Sequence, residues 1–270
     1  MALPVSLSYE DYTLGWVCAL PIELSAAALM LDAVHLNLPH RHDNDRNTYK
    51  LGSIARHNVV VTCLPSGVYG TTKAALVSQE MTRTFLNLKC LLMVGVGGGA
   101  PGSSRDIRLG DIVVSKPTNS HGGVVQYDFG KAVAGGQFSR TGVLNKPAQI
   151  LLSAIAQLKA SHNVRKLEFA SYVAEVTDRQ SEDSGARFRY PGKDQDYLFE
   201  SSYNHAVSDA TTCSNCDNKN LIERAPRPDT TPHVHYGLIA SGNTVMKMAF
   251  AGTVYRKRWM YYASRWRLRV

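Results

Sequence analysis

The sequence has no uninterrupted apolar run of the ~20 residues that a membrane-spanning helix needs. Its most hydrophobic early stretch, Gly15 to Leu31, carries Glu23 near the middle. No Lys or Arg precedes Arg41, so the basic start of a secretory signal is missing. There is no internal repeat and no low-complexity tract. Cysteine is scarce: five in 270 residues (Cys18, Cys63, Cys90, Cys213, Cys216) do not make a disulfide scaffold for a chain this long. These absences lead us to expect a soluble, cytoplasmic protein.

What is present is enough to fold. Hydrophobic residues make up 44% of the chain and charged residues 19%, a composition able to bury a sizeable core. The net charge is +8, but its distribution is uneven. Between Met248 and Val270 lie Arg256, Lys257, Arg258, Arg265, Arg267 and Arg269, with no acid among them. The rest of the chain is nearly neutral, so a nucleic-acid surface is not read from the sum. In that tail Trp259, Tyr262 or Ala263, and Trp266 recur at helical spacing, as in a basic amphipathic helix that lies on a membrane. An unselected basic stretch is the plainer reading, and membrane contact is not expected.

Tyr12–Ala19 reads as a buried strand, and Pro21 suits the first turn of a helix over Ile22–Val34. Leu36–Asn47 is polar and reads as an exposed loop. Tyr49–Ile54 and Asn58–Leu64 look like a strand pair, followed by a helix over Thr71–Phe85 with Thr71-Thr72 placed to cap it. Cys90–Val96 is the most hydrophobic strand, expected to be buried on both faces, and it empties into Gly97-Gly98-Gly99. Gly110-Asp111 is a turn before a strand at Ile112–Ser115, Pro147–Lys159 is an amphipathic helix, and His235–Ser241 is a late strand. Residues 160–232 are less regular and read as insertions. Strand, helix, strand pair, helix, strand is the order of a three-layer α/β/α sandwich with a largely parallel or mixed central sheet. Ligands of such folds lie beyond the carboxyl ends of the strands, here Leu20–Glu23, Ser66–Thr71, Gly95–Ala100 and Ser241–Met246.

Cys213 and Cys216 form a lone C-x-x-C in a polar loop. Zinc would need two more ligands, which His233 and His235 could supply, but no second such pair exists. A surface loop with two thiols is the plainer reading, and no metal is expected.

The segments Ala19–Ala27 (ALPIELSAA), Pro65–Ala75 (PSGVYGTTKAA), Val94–Pro101 (VGVGGGAP), Ile107–Pro117 (IRLGDIVVSKP), Val124–Lys131 (VVQYDFGK) and Tyr236–Lys247 (YGLIASGNTVMK) occur in an order that resembles the nucleoside phosphorylase and nucleosidase superfamily. The likeness is to its fungal branch, in which this domain often stands before NACHT or repeat domains. It spans about residues 10–247, so residues 1–247 are expected to form the phosphorylase-like domain and 248–270 an atypical basic tail. The resemblance implies cleavage of the N-glycosidic bond of a purine nucleoside or nucleotide, without a cofactor, in a homo-oligomer and without nucleic acid as a partner. Phosphorylases use phosphate as nucleophile and nucleosidases use water. The alternative, from the receptor-like relatives, is a non-catalytic nucleoside-binding module for signalling.

The resemblance also distributes roles. Glu23 falls where nucleosidases carry the Glu that activates water; taken alone, an acid at a helix start is also what the helix dipole favours. Gly95, Val96, Gly97 and Gly98 belong to a turn that lets backbone approach a sugar or anion. Ser241, Gly242, Asn243, Val245 and Met246 would line ribose and base, although for Val245 and Met246 plain core packing weighs as much. Hexameric phosphorylases place an Arg and a Ser where this chain has Met93 and Val96, neither of which can bind phosphate through its side chain. Hydrolysis is therefore expected over phosphorolysis, although nucleosidases also carry Ser at the Val96 position. The family continues with a strand bearing a ribose-binding Glu and a later Asp that protonates the base. After Lys247 this chain offers neither, so its C-terminal strands and helix are expected to be incomplete and its turnover impaired.

Overall fold

The computed structural model describes residues 7–38, 44–101, 105–134, 137–164, 169–178, 188, 190, 192–203, 213, 215–243 and 261–264. The chain divides into two compact units, Met1–Val96 and Gly97–Val270.

The first unit is itself an α/β/α sandwich. Strand β1 (Leu14–Cys18) is central, parallel to β4 (His57–Cys63) on one side and to β5 (Cys90–Met93) on the other. β3 (Lys50–Ile54) pairs antiparallel with β4, and the short β2 (Ala33–Val34) antiparallel with β3, giving the mixed order β2-β3-β4-β1-β5. Side chains alternate across the pleat, and each face has its own helix. On one face Val17, Leu51 and Val60 pack with Val77, Met81 and Phe85 of α2 (Thr71–Thr84) and its cap. On the other, Cys18, Val59 and Val61 pack with Ala27 of α1 (Pro21–Leu29) and with Leu31. The Phe85 ring meets Tyr9, Tyr12 and Tyr49 edge-on at 5.3, 5.5 and 5.0 Å, contacts each worth about 0.5–1.5 kcal/mol beyond the area they bury.

Several boundaries differ from the sequence expectation. α1 stops at Leu29, well short of Val34, because the following backbone joins the sheet: Asp32 N–H donates to Ser53 O and His35 N–H to Leu51 O, both at 2.8 Å. Gly70, not a threonine, holds the N-cap of α2. The loop read as exposed is buried at its end. Asp45 is 4% exposed, and its carboxylate accepts from Tyr49 (2.6 Å), Thr84 (2.5 Å) and the Asn47 N–H (2.9 Å). Asn47 in turn donates to Val77 O at 2.9 Å. β5 ends at Met93 rather than Val96 and stands last in its sheet's strand order, with Met93 51% exposed; it is not the doubly buried strand its composition suggested.

In the second unit the long β11 (Val234–Ser241) is the axis. β6 (Gly98–Gly99) leads into the unit, and β7 (Ile112–Ser115) and β8 (Val124–Gln126) pair parallel with successive halves of β11. β9 (Gly130–Val133) and β10 (Gln137–Arg140) form a separate antiparallel hairpin. Val125, Tyr127, Leu238 and Ala240 make the local core. Helices α3 (Gln149–Val164) and α4 (Phe169–Asp178) fall between β10 and β11. β12 (Tyr261–Ser264) pairs parallel with β11 and antiparallel with β6, so these four residues of the basic tail are strand rather than amphipathic helix. Among the described residues no helix is long and apolar enough to cross a membrane.

Candidate active site

Glu23 is the third residue of α1 and is 6% exposed. Pro21 opens the helix with a ring that lacks the N–H a first turn would leave unbonded, and two residues later the carboxylate folds back on its own entry. Oε2 accepts the N–H of Ala19 at 2.7 Å and of Leu20 at 3.0 Å. Oε1 accepts the N–H of Val96, beyond the end of β5, at 2.8 Å. A single side chain thus ties together the exit of β1, the start of α1 and the exit of β5. An ionised carboxylate has about four acceptor positions. The three bonds use two on Oε2 and one on Oε1, so the position left over among the described residues is on Oε1. That is where a water could donate.

The neighbours suit a carboxylate that is kept in place. Gly95 lies against it so closely that a Cβ there would meet Oε1 at 2.5 Å. Cys18 and Cys63 are opposite one another in the β1–β4 register. Burial, with the Glu23 charge as a further cause, pushes the Cys18 thiol up to about 12 and the Cys63 thiol upward as well.

The structure therefore brings Glu23, Gly95 and Val96 together within the first unit. In the second, Gly98 lies in β6 against β12, and Gly97 precedes it. Ser241 ends β11, and its carbonyl accepts the Tyr127 N–H at 3.0 Å. Gly242 lies against the Tyr127 ring, where a Cβ would come within 2.6 Å. The Asn243 N–H donates to Asp128 Oδ2 at 2.5 Å. Val245 and Met246 lie outside the described residues. Cys213 and Cys216 are joined by a turn, Cys216 N–H to Cys213 O at 3.0 Å, and among the described residues no cluster of three or more His, Cys, Asp or Glu is arranged to hold a metal. His235, a conceivable fourth zinc ligand in sequence, is instead bonded through Nε2 to Asp111 Oδ2 at 2.9 Å.

Sequence reasoning missed the charged lattice around Asp111. This carboxylate is fully buried, paired through both oxygens with Arg227 at 2.7 Å, and held by the N–H groups of Arg108 and His233. Burial alone would raise its pKa, but Arg227, His235 and the two amides outweigh that and hold it well below the usual carboxylate range. Arg108 and Arg224 extend the lattice through Asp106 and Asp196. An adjoining cavity of about 360 Å³, with Tyr190, Tyr197 and Ile222 among its walls, includes none of the site residues expected from sequence. The Gly110-Asp111 turn was visible beforehand, but Arg227, His233 and His235 lie far from Asp111 along the chain.

Comparison with known proteins gives the fold. No family model matches the chain. A nucleotide-binding leucine-rich repeat (NLR)-like protein of the fungus Hyaloscypha variabilis is 45% identical over 244 residues, 90% of this chain and 23% of that protein. The chain thus spans about a quarter of its relative's length. Two structures of Helicobacter pylori 5′-methylthioadenosine/S-adenosylhomocysteine nucleosidase superpose with TM-score 0.51. A variant with 5′-methylthioadenosine in its active site is 10% identical, covering 94% of this chain and 75% of the other. A complex with a pyrrolopyrimidine-bearing pyrrolidinol is 12% identical, covering 95% and 75%. The chain has the nucleoside phosphorylase/nucleosidase fold, a mixed sheet flanked by helices, in a sequence with a fungal relative.

Proposed function

We propose that this chain hydrolyses the N-glycosidic bond of a purine nucleoside or nucleotide. In this reading water donates a hydrogen bond to the open position on Glu23 Oε1 and attacks C1′. As the C1′–N bond breaks with its electron pair going to the base, one proton of the attacking water passes to Glu23 and the departing base is protonated by solvent water. Glu23 is the proposed catalytic residue; Gly95 to Gly98 and Ser241 to Met246 are proposed to bound the substrate. The observation that carries the proposal is the Glu23 carboxylate, fixed by three backbone amides at the carboxyl ends of β1 and β5 and, among the described residues, left with one acceptor position. Water as nucleophile agrees with the nucleosidase activity named for the two superposed structures. We extend the same proposal to a domain spanning residues 1–247 that works as a homo-oligomer.

The test is release of free base from adenosine, inosine, guanosine and ATP. Glu23→Gln keeps the shape of the side chain but removes the proton acceptor, and should lower the rate about 10²–10⁴-fold. Base release that is unchanged in E23Q would sink the proposal.

A second reading, nucleoside binding without turnover in a signalling module, draws on the NLR-like relative of which this chain matches about a quarter. It predicts that a nucleoside raises the melting temperature while being recovered intact.

A further inference from the structure

The VVQYDFGK segment contains a carboxylate that the roles above leave unused. β8 runs parallel to β11, with Ile239, Ala240 and Ser241 opposite Val124, Val125 and Gln126. The pairing continues one step further through the Tyr127 N–H to Ser241 O. Asp128 is therefore the first residue beyond the paired strands, level with Gly242-Asn243, at their carboxyl end. Its position is fixed from two sides: Oδ2 accepts the Asn243 N–H at 2.5 Å, and Oδ1 accepts Gln126 Nε2 at 3.1 Å. The buried Tyr127 ring lies so near Gly242 that a Cβ there would meet it at 2.6 Å.

We propose that Asp128 binds a hydroxyl of the substrate's sugar. The proposal rests on the nucleoside reading above and deepens it. Three features carry the inference. Parallel strands place ligands at this end. A carboxylate is an acceptor-only group, and sugar hydroxyls are donors that it can take in pairs, since each oxygen accepts more than one hydrogen bond. The side chain is already oriented by Asn243 and Gln126, so little conformational freedom remains to be lost on binding.

A plain structural clip on Asn243 would make the same two hydrogen bonds, and the experiment separates the two roles. The full chain is titrated with adenosine and with its 2′-, 3′- and 5′-deoxy analogues, and the titrations are repeated with Asp128→Asn and Asp128→Glu. A charge-assisted hydrogen bond lost from a built site should weaken at least one analogue about 10- to 100-fold against adenosine. In D128N adenosine should weaken to the level of that analogue, and the discrimination should vanish; D128E, which keeps the charge, should restore part of it. Wild-type protein that binds adenosine and all three analogues equally overturns the proposal without any variant. Discrimination that persists in D128N overturns it as well. If the wild-type chain binds no nucleoside at all, the functional reading fails first and Asp128's role fails with it.

Discussion

Gly95 and Glu23 are in contact such that a methyl group on the glycine would lie 2.5 Å from Oε1, 2.7 Å from the carboxyl carbon and 2.8 Å from Oε2. No rotation of a single oxygen relieves all three approaches. Gly95→Ala should therefore drive the carboxylate from its seat, break the Val96 bond and cost about 1–3 kcal/mol as overpacking. Base release should fall alongside thermal stability. Glu23→Asp withdraws the carboxylate by one methylene, so it should cost less in the G95A background than in the wild type. A double-mutant cycle on melting temperature reads that coupling; additive effects would mean the two residues do not compete for the same space.

That contact also marks the limit of sequence reasoning. Glu23 stood out because the family resemblance places a water-activating Glu there, just after a strand-to-helix turn marked by Pro21, and Gly95 because it belongs to the glycine-rich turn that follows an apolar run. Their meeting joins residues more than seventy positions apart, which no periodicity encodes. Strand and helix order was legible for the same local reason: Leu14–Cys18 and His57–Cys63 alternate or run apolar as buried strands do. The burial of Asp45 and Asn47 was not legible, since a polar stretch reads as loop unless one knows that Thr84 and Val77 wait opposite. Cys90–Met93 misled in the other direction, because hydrophobic composition marks a strand but not its place last in the strand order.

Asp111 should dominate the acid stability of the second unit. Its folded pKa is depressed, so its stabilisation is fully present above the ordinary carboxylate value near 4 and is lost progressively as the pH falls below it. Asp111→Asn leaves Arg227 buried beside a neutral amide and should cost about 3–5 kcal/mol at neutral pH. The variant's stability should also change less than the wild type's between about pH 5 and pH 2. Denaturant melts across that range check both statements, and parallel curves would show that the lattice does not act through charge.

The thiols should divide by reactivity. Cys18 is fully buried with its pKa near 12, so at pH 8 only about one molecule in ten thousand carries the thiolate. Cys213 and Cys216, partly exposed in a turn, should be modified first by a thiol-specific reagent under native conditions. All five cysteines should react once the chain is unfolded. Peptide mapping after brief labelling gives the order, and early labelling of Cys18 would show that β1 and β4 open more readily than their packing implies.

Phosphate should not accelerate base release. The resemblance to phosphorylases puts Met93 and Val96 where those enzymes bind the anion, and neither side chain offers it a hydrogen. The backbone does not compensate, because the Val96 N–H is already committed to Glu23 Oε1. A phosphate approaching that turn would have to displace the bond and would bring its own negative charge beside a buried carboxylate, an unfavourable encounter at short range. Water meets neither obstacle, being neutral and able to donate where Glu23 accepts. The sugar product should accordingly be free ribose, or ribose 5-phosphate from a nucleotide. The base-release rate should be the same with and without added phosphate at constant ionic strength. A rate that climbs with phosphate, together with a sugar 1-phosphate among the products, would require Glu23 to release Val96 during the reaction.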